Sequence, residues 1–222
     1  MTRILVIGGG GREHAICRAV STASDVSVFC APGNPGTALA GTNLAIDPSD
    51  HAAVIAAAID HRVDFVVVGP EQPLVDGLAD SLRSAKISCV GPSALAAKLE
   101  GSKIFTRELC AESGVPSPDF FVATSAADIE RGLAGWGHRL APVVKADGLA
   151  SGKGVFLPDT IADAQRIARE LLDGKLGDAG RILVFEERLV GVEASVFFAC
   201  DQLTAKALPH ARDHKRLQDG DH

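Results

Sequence analysis

Four short apolar runs rich in Val and Ile, "RILVIG" at 3–8, "VSVFC" at 26–30, "DFVVVG" at 64–69 and "ISCVG" at 87–91, recur along the first hundred positions. They lack the polar alternation of a strand with one wet face. Such strands must be covered on both sides, which is the condition of a parallel sheet within an α/β unit. Amphipathic segments near 13–22, 49–61 and 74–85 fill the intervals, giving a strand-helix rhythm with right-handed crossovers. Residues 1–101 are therefore expected to form a doubly wound parallel-sheet domain of the α/β class.

The texture then changes. "SKIFTRELCAES" predicts a helix over 102–113, stopped by Gly114 and followed by Pro116 and Pro118. Beyond it, "FFVAT", "APVVKA", "GVFLP", "RILVFEE" and "EASVFFACD" read as strands, with helices near 126–135 and 160–173. Antiparallel strands and hairpins mixed with helices make 102–222 an α+β unit.

Composition narrows the partners. A chain of 222 residues, 46% hydrophobic and 23% charged, can bury one sizeable core or two modest ones. With 22 Lys and Arg against 28 Asp and Glu, the formal net charge of −6 gives no basic field for nucleic acid, so an anionic ligand must be met locally. The five cysteines are scattered and form no CxxC pair, which argues against a disulfide framework or a zinc site and points to a reducing cytoplasm. The N-terminal apolar stretch is too short for a signal peptide, and no run reaches the roughly 18 apolar residues of a membrane span.

"VIGGGGREH" follows the first strand and opens the first helix, where unpaired N–H groups and the helix dipole favour an anion such as phosphate. It is a poor dinucleotide fingerprint. Counted from Gly8, the third glycine position falls on Glu13, and the second strand ends "VFCAPGN" without the carboxylate that holds a ribose diol. A ligand-free tight turn also explains these glycines, with Glu13 and His14 as ordinary first-turn residues. "APGNPG", "VGPEQPL" and "VGPS" likewise follow predicted strands, so all four loops are expected at one carboxyl edge and around one crevice.

The second glycine run, "VVKADGLASGKGVFL", invites a P-loop reading and fails it. Asp147 stands where the first glycine belongs, Gly154 where the Ser or Thr belongs, and a strand follows instead of a helix. What remains is a glycine-rich hairpin loop with Lys145 at its entry and Lys153 within it. Such a loop can close over a triphosphate, with glycines permitting backbone approach and lysines neutralising charge, or it can be a solvent-facing hairpin. In "VFEERLVGVEASV", backbone groups can read a purine base while Glu193, seven residues after Glu186, accepts from ribose hydroxyls. "ARDHKRLQDGDH" reads either as an active-site loop carrying Asp213, Lys215 and Arg216 or as a frayed tail.

Taken in order, "VIGGGGREHA", "APGNPGTA", "VVGPEQPLVDGL", "LEGSKIFTRELC", "VVKADGLASGKGV", "FEERLVGVEAS" and "DHKRLQDGD" closely resemble the phosphoribosylamine–glycine ligase family, the glycinamide ribonucleotide synthetases of the ATP-grasp superfamily. The resemblance implies a preATP-grasp domain over 1–101 and a partial ATP-grasp domain over 102–222, its nucleotide-binding lobe at about 119–190. It implies ATP phosphates on Lys103, Lys145, Ser151, Gly152, Lys153 and Gly154, an adenine-side hinge at Glu186, Glu187, Arg188 and Leu189, and ribose on Glu193. Gly10, Gly11, Arg12, Glu13, His14 and Asn34 would face phosphoribosylamine, with Glu71 near that crevice and Asp213 and Lys215 in the acceptor site. Lys145, Lys153 and Asp213 would carry the catalytic roles.

The implied reaction joins glycine to 5-phosphoribosylamine in purine synthesis, through a glycyl phosphate formed from ATP. Alternatives are a fragment that holds a nucleotide or sugar phosphate without turnover, and an ATP-grasp ligase for another acid, which "GREH" together with "DHKR" disfavours. The family pattern continues well beyond His222, so the resemblance implies that half the enzyme, with its Mg²⁺ or Mn²⁺ ligands, lies outside this sequence, which alone would not turn over and would expose apolar surface. Arg188 stands where the family usually has an aromatic residue, Val190 and Val192 where it tends to be acidic, and Gly9 and Gly10 where it often has Asn or Ser.

Overall fold

In the computed structural model, which describes residues 1–148, 154–201 and 203–214, the apolar runs of the first unit form one parallel sheet. Its elements are β1 (Thr2–Gly8), α1 (Gly11–Val20), β2 (Val26–Pro32), α2 (Thr37–Ala40), β3 (Thr42–Asn43), α3 (His51–Asp60), β4 (Phe65–Val68), α4 (Glu71–Val75), α5 (Leu78–Ser84), β5 (Ser88–Val90) and α6 (Ala94–Gly101). The strand order is β3-β2-β1-β4-β5, every pair parallel. Alternation along β1 shows why it carries no polar face. Leu5 and Ile7 enter one core with Val54, Val66 and Leu82, while Ile4 and Val6 enter a second with Cys17, Val28 and Cys30. Each fully buried side chain of this kind contributes about 1.5–3 kcal/mol.

Two details depart from the sequence reading. The helix expected over 74–85 is two, α4 and α5, because Gly77 between them adopts a left-handed backbone at φ +90°. The two-residue edge strand β3 and the helix α6 carry too short or too weak a pattern to be legible. Ser93 caps α6 by accepting from the Ala96 amide, and Asp50 caps α3 through Ala53.

The second unit comprises α7 (Lys103–Glu112), β6 (Phe120–Ala123), α8 (Ala126–Ala134), β7 (Val143–Ala146), β8 (Val155–Phe156), α9 (Ile161–Glu170) and β9 (Leu183–Glu186). Its sheet has the order β6-β9-β7-β8 and every pairing is antiparallel, as the change in texture requires. Helices α8 and α9 cover one face around Phe185, whose ring stacks on Phe121 at 4.4 Å. Ser125 and Thr160 cap these helices, each accepting from an aspartate amide three residues on.

The strand expected over 193–201 is divided. β10 (Ala194–Ser195) pairs with β13 (Ala211–Arg212), and β11 (Phe198–Cys200) pairs with β12 (Ala205–Ala207). Val190 and Val192 ahead of these ribbons, and Val196, Phe197, Phe198 and Leu203 within them and their connections, are exposed. All five cysteines are free thiols, and burial is the main cause that pushes Cys17 up to about 12. No described helix is long and apolar enough to cross a membrane.

Candidate functional site

The strand order reverses between β1 and β4, and in an open parallel sheet a ligand crevice lies at that switch point, outside the carboxyl ends of the strands. Because all five strands run parallel, the loops after β1, β2, β4 and β5 share that edge. A cavity of about 280 Å³ opens there, lined by Arg12, Gly69, Glu71, Leu74, Pro92 and Glu100. Arg12 Nη1 donates to the Gly69 carbonyl at 2.6 Å and lies 3.5 Å from Glu71. Gly10 and Gly11 are exposed at the start of α1.

Glu13 and Asn34 take different positions from the ligand-facing ones expected of them. Glu13 is 4% exposed, and its carboxylate turns back under the loop to accept from the Gly10 amide at 2.6 Å. A Cβ at Gly8 or Gly69 would collide with it, so those two glycines make room for the carboxylate. The Asn34 amide donates to the Gly9 and Gly10 carbonyls, while its oxygen accepts from the Gly36 and Thr37 amides. His14 packs against Gly36, where a Cβ would meet the imidazole ring at 2.5 Å. Glu13, His14 and Asn34 thus lock the loop shape, while Arg12 and Glu71 line the crevice.

The second unit gathers charge on one face of its sheet. Val143 pairs opposite Glu186 and Lys145 opposite Val184, so Lys145 and Glu186 share a face on adjacent strands. Glu186 is 2% exposed, and Lys145 Nζ donates to its Oε2. From α7, Arg107 grips the same carboxylate with Nε on Oε1 at 3.0 Å and Nη2 on Oε2 at 3.1 Å. Burial would raise the Glu186 carboxyl, but hydrogen bonds and charge from Arg107 and Lys145 together hold it below the ordinary carboxylate range. Burial lowers Lys103, with repulsion from Lys145 adding to it and the nearby carboxylates of Asp147 and Glu186 opposing it.

Lys103 Nζ donates to the Gly148 carbonyl at 2.9 Å, so the lysine reaches the entry of the glycine hairpin. Asp147, noted in the sequence only as the residue that breaks a P-loop, caps α7 from across the fold. Its Oδ1 accepts from the Lys103 amide at 2.7 Å and the Ile104 amide at 3.3 Å, and its carboxylate accepts from the Ser102 hydroxyl. At the exit of the hairpin, Gly154 is buried and its carbonyl accepts from the Ala146 amide. Ser151, Gly152, Lys153 and Lys215 lie outside the described residues.

Arg107 was not singled out in the sequence, although a signal was there: it stands four residues after Lys103, which puts both cations on one face of a helix. On the hinge, the Glu187 amide donates to the Asp119 carbonyl, Arg188 Nη1 donates to the Pro158 carbonyl at 3.4 Å, and Leu189 is exposed. The Asp213 amide donates to the Glu193 carbonyl at 3.1 Å, bringing together residues expected at the acceptor and ribose sites.

Among the described residues, one trio, Asp119, His138 and Glu187, offers atoms close enough for a single cation. His138 bridges the two acids, Nε2 at 3.1 Å from Asp119 and Nδ1 at 3.5 Å from Glu187, so each ring nitrogen faces its own carboxylate. A nitrogen donor held this way does not match the all-oxygen octahedral shell that Mg²⁺ demands.

Comparison with known proteins agrees with this geometry. Residues 2–100 match the family "Phosphoribosylglycinamide synthetase, N domain", and residues 101–222 match "Phosphoribosylglycinamide synthetase, ATP-grasp (A) domain". A phosphoribosylamine–glycine ligase of Agrobacterium fabrum is 48% identical over 99% of this chain and 52% of its own length. One from Escherichia coli O6:H1 is 43% identical over 99% of this chain and 52% of its own. The crystal structure of the Thermotoga maritima phosphoribosylamine–glycine ligase superposes with a TM-score of 0.80 at 27% identity, covering 100% of this chain and 52% of that one. An ADP complex of an N5-carboxyaminoimidazole ribonucleotide synthetase shares the fold, with a TM-score of 0.76 at 15% identity over 99% of this chain and 55% of the other. The chain spans about half the length of the curated relatives it matches, and with both its halves matched in order it belongs to the phosphoribosylglycinamide synthetase family.

Proposed function

We propose that this chain carries the phosphoribosylamine crevice and the nucleotide-phosphate cluster of an ATP-dependent ligase that joins glycine to 5-phosphoribosylamine. The observation that carries the reading is the grip of Lys145 and Arg107 on the buried Glu186, with Lys103 close by on the Gly148 carbonyl at the mouth of a glycine hairpin. Lys103, Lys145 and Arg107 set against the carboxylates of Glu186 and Asp147 leave a surplus of one positive charge, which suits the polyphosphate of ATP. Ribonucleotide synthetases that share the fold have been crystallised with ADP and with ATP, and the family relationship supplies the acceptor and the amine.

In this reading a glycine carboxylate oxygen attacks the γ-phosphorus of ATP, and the bond to the β-γ bridging oxygen breaks to release ADP. The amine of phosphoribosylamine then attacks the carbonyl carbon of glycyl phosphate; phosphate leaves with the electron pair of the C–O bond, and the amine gives up a proton. Lys103 and Lys145 hold the triphosphate and offset its charge, with Ser151, Gly152, Lys153 and Gly154 as its further phosphate ligands. Glu186 to Leu189 border the adenine and Glu193 the ribose. Gly10, Gly11 and Arg12 bind the sugar phosphate on a loop held in shape by Glu13, His14 and Asn34, with Glu71 at the crevice wall. Asp213 and Lys215 serve the acceptor side. The trio Asp119, His138 and Glu187, with its imidazole donor, does not suit Mg²⁺.

The test is calorimetry of ATP binding to the chain and to Lys145→Ala, with product formation from glycine, phosphoribosylamine and ATP followed in parallel. ATP affinity is expected to fall about tenfold or more in the folded variant, the loss of one charge-assisted contact. Unchanged affinity would remove Lys145 from the site. Nucleotide binding without product would favour a binding role for this chain.

A further inference from the structure

The buried carboxylate of Glu186 has two cationic partners that are not equivalent. Arg107 contributes a fork, so each carboxylate oxygen has its own N–H donor from the guanidinium. Lys145 contributes one ammonium, on Oε2 alone. The Glu186 side chain is 3% exposed, whereas Lys145 is 21% and Arg107 20% exposed, so both cations reach out from a buried carboxylate and differ in the number of bonds they make to it. Remove the lysine and both oxygens remain bonded. Remove the arginine and Oε1 loses the side-chain donor it has among the described residues, leaving Lys145 as the counter-charge of a buried carboxylate, a bond that is costly to break.

We propose that Arg107 is a positioning residue that frees Lys145 to change partners: it stays on Glu186 as the resident counter-charge while Lys145 transfers from that carboxylate to an incoming polyphosphate. This rests on the nucleotide reading above and adds to it an order of events and a residue that the phosphate does not touch. Lys103 lies close enough to repel Lys145, which favours the transfer once an anion is at hand, and Asp147 holds Lys103 beside the hairpin entry. Without Arg107, Lys145 is expected to stay on Glu186 and the phosphate site to lose a donor that is still present in the chain.

The test uses Arg107→Met, Arg107→Lys, Glu186→Gln and the double variant Arg107→Met/Glu186→Gln of this chain. The first readout needs no nucleotide: the rate at which Lys145 is acetylated, followed by peptide mass spectrometry. Labelling should slow several-fold in Arg107→Met, slow less in Arg107→Lys, and speed up in Glu186→Gln and in the double variant. The second readout is affinity for inorganic tripolyphosphate and for adenosine. Arg107→Met should bind tripolyphosphate about tenfold more weakly and adenosine unchanged, and the double variant should regain tripolyphosphate affinity because the competing carboxylate is gone.

A merely structural role for Arg107 would not give slower labelling or rescue by Glu186→Gln. Wild-type labelling rates in folded Arg107→Met, or in Arg107→Lys if the methionine variant does not fold, overturn the role given to Arg107. A wild-type chain that binds neither ATP nor tripolyphosphate overturns the transfer to phosphate together with the nucleotide reading, and the labelling series separates that result from a failure of Arg107 alone.

Discussion

Glu186 is the residue on which both the stability and the charge logic of the second unit turn. Its carboxyl is held below the ordinary value of 4.5, so the folded state binds its proton less readily than the unfolded chain does. The associated stability is fully present above pH 4.5 and is lost as pH falls through the lower folded value. Stability of the wild-type chain, measured as the urea midpoint, should therefore fall more steeply between neutral and strongly acid pH than that of Glu186→Gln, which cannot titrate there. Parallel pH profiles would remove Glu186 as a source of acid sensitivity. At this scale the sequence was informative about chemistry and blind to direction. Lys145 and Glu186 could be chosen because strand ends beside a glycine hairpin are where such groups belong. Glu13 and Asn34 could not be read as loop braces, since whether a loop side chain points into its own loop or out of it depends on other strand ends: Glu13 fills the space left by Gly69, and Asn34 donates to the carbonyls of Gly9 and Gly10, 25 and 24 residues away.

Helix α7 shows how an element acquires a role from outside itself. Ser102 caps it locally by accepting from the Phe105 amide, a signal legible in the sequence. The other cap, Asp147, arrives from 44 residues downstream and ties the start of the helix, and with it Lys103, to the glycine hairpin. Asp147→Ala should cost about 1–2 kcal/mol in urea unfolding, the range of a lost helix cap, and Asp147→Asn less, since its amide oxygen still accepts. Equal losses would show that charge rather than acceptance matters. The elements that the sequence revealed are those whose period is long and regular, such as β1, β4, α3 and α9. Those it missed have physical reasons to be silent: β3 is two residues long, α4 and α5 are divided by a single glycine, and β10 to β13 are short ribbons fixed by pairing partners and not by a pattern of their own.

On the scale of the whole molecule, the change from continuous apolar strands to hairpin texture near residue 102 corresponds to two sheets of different kinds, one all parallel and one all antiparallel, each with its own hydrophobic packing. Members of the two clusters on the faces of the first sheet run from Ile4 to Ala97 and those of the second sheet from Ala123 to Phe185, with no residue shared. The units are joined at the turn at Ser102 that ends α6 and starts α7, where the Thr106 hydroxyl donates to the Leu99 carbonyl and Lys98 lies over the Phe105 ring. Cores that share no side chain can lose their packing separately. Phe185→Ala removes a fully buried ring stacked on Phe121 and should destabilise the second unit by about 3–5 kcal/mol. Followed by hydrogen exchange with peptide-level resolution, the variant should lose protection in β6, β7 and β9 while β1 and β4 keep theirs. Loss of protection in all five strands together would show instead that the two cores fold as one cooperative unit, and that the junction at Ser102 transmits stability as well as connecting the two sheets.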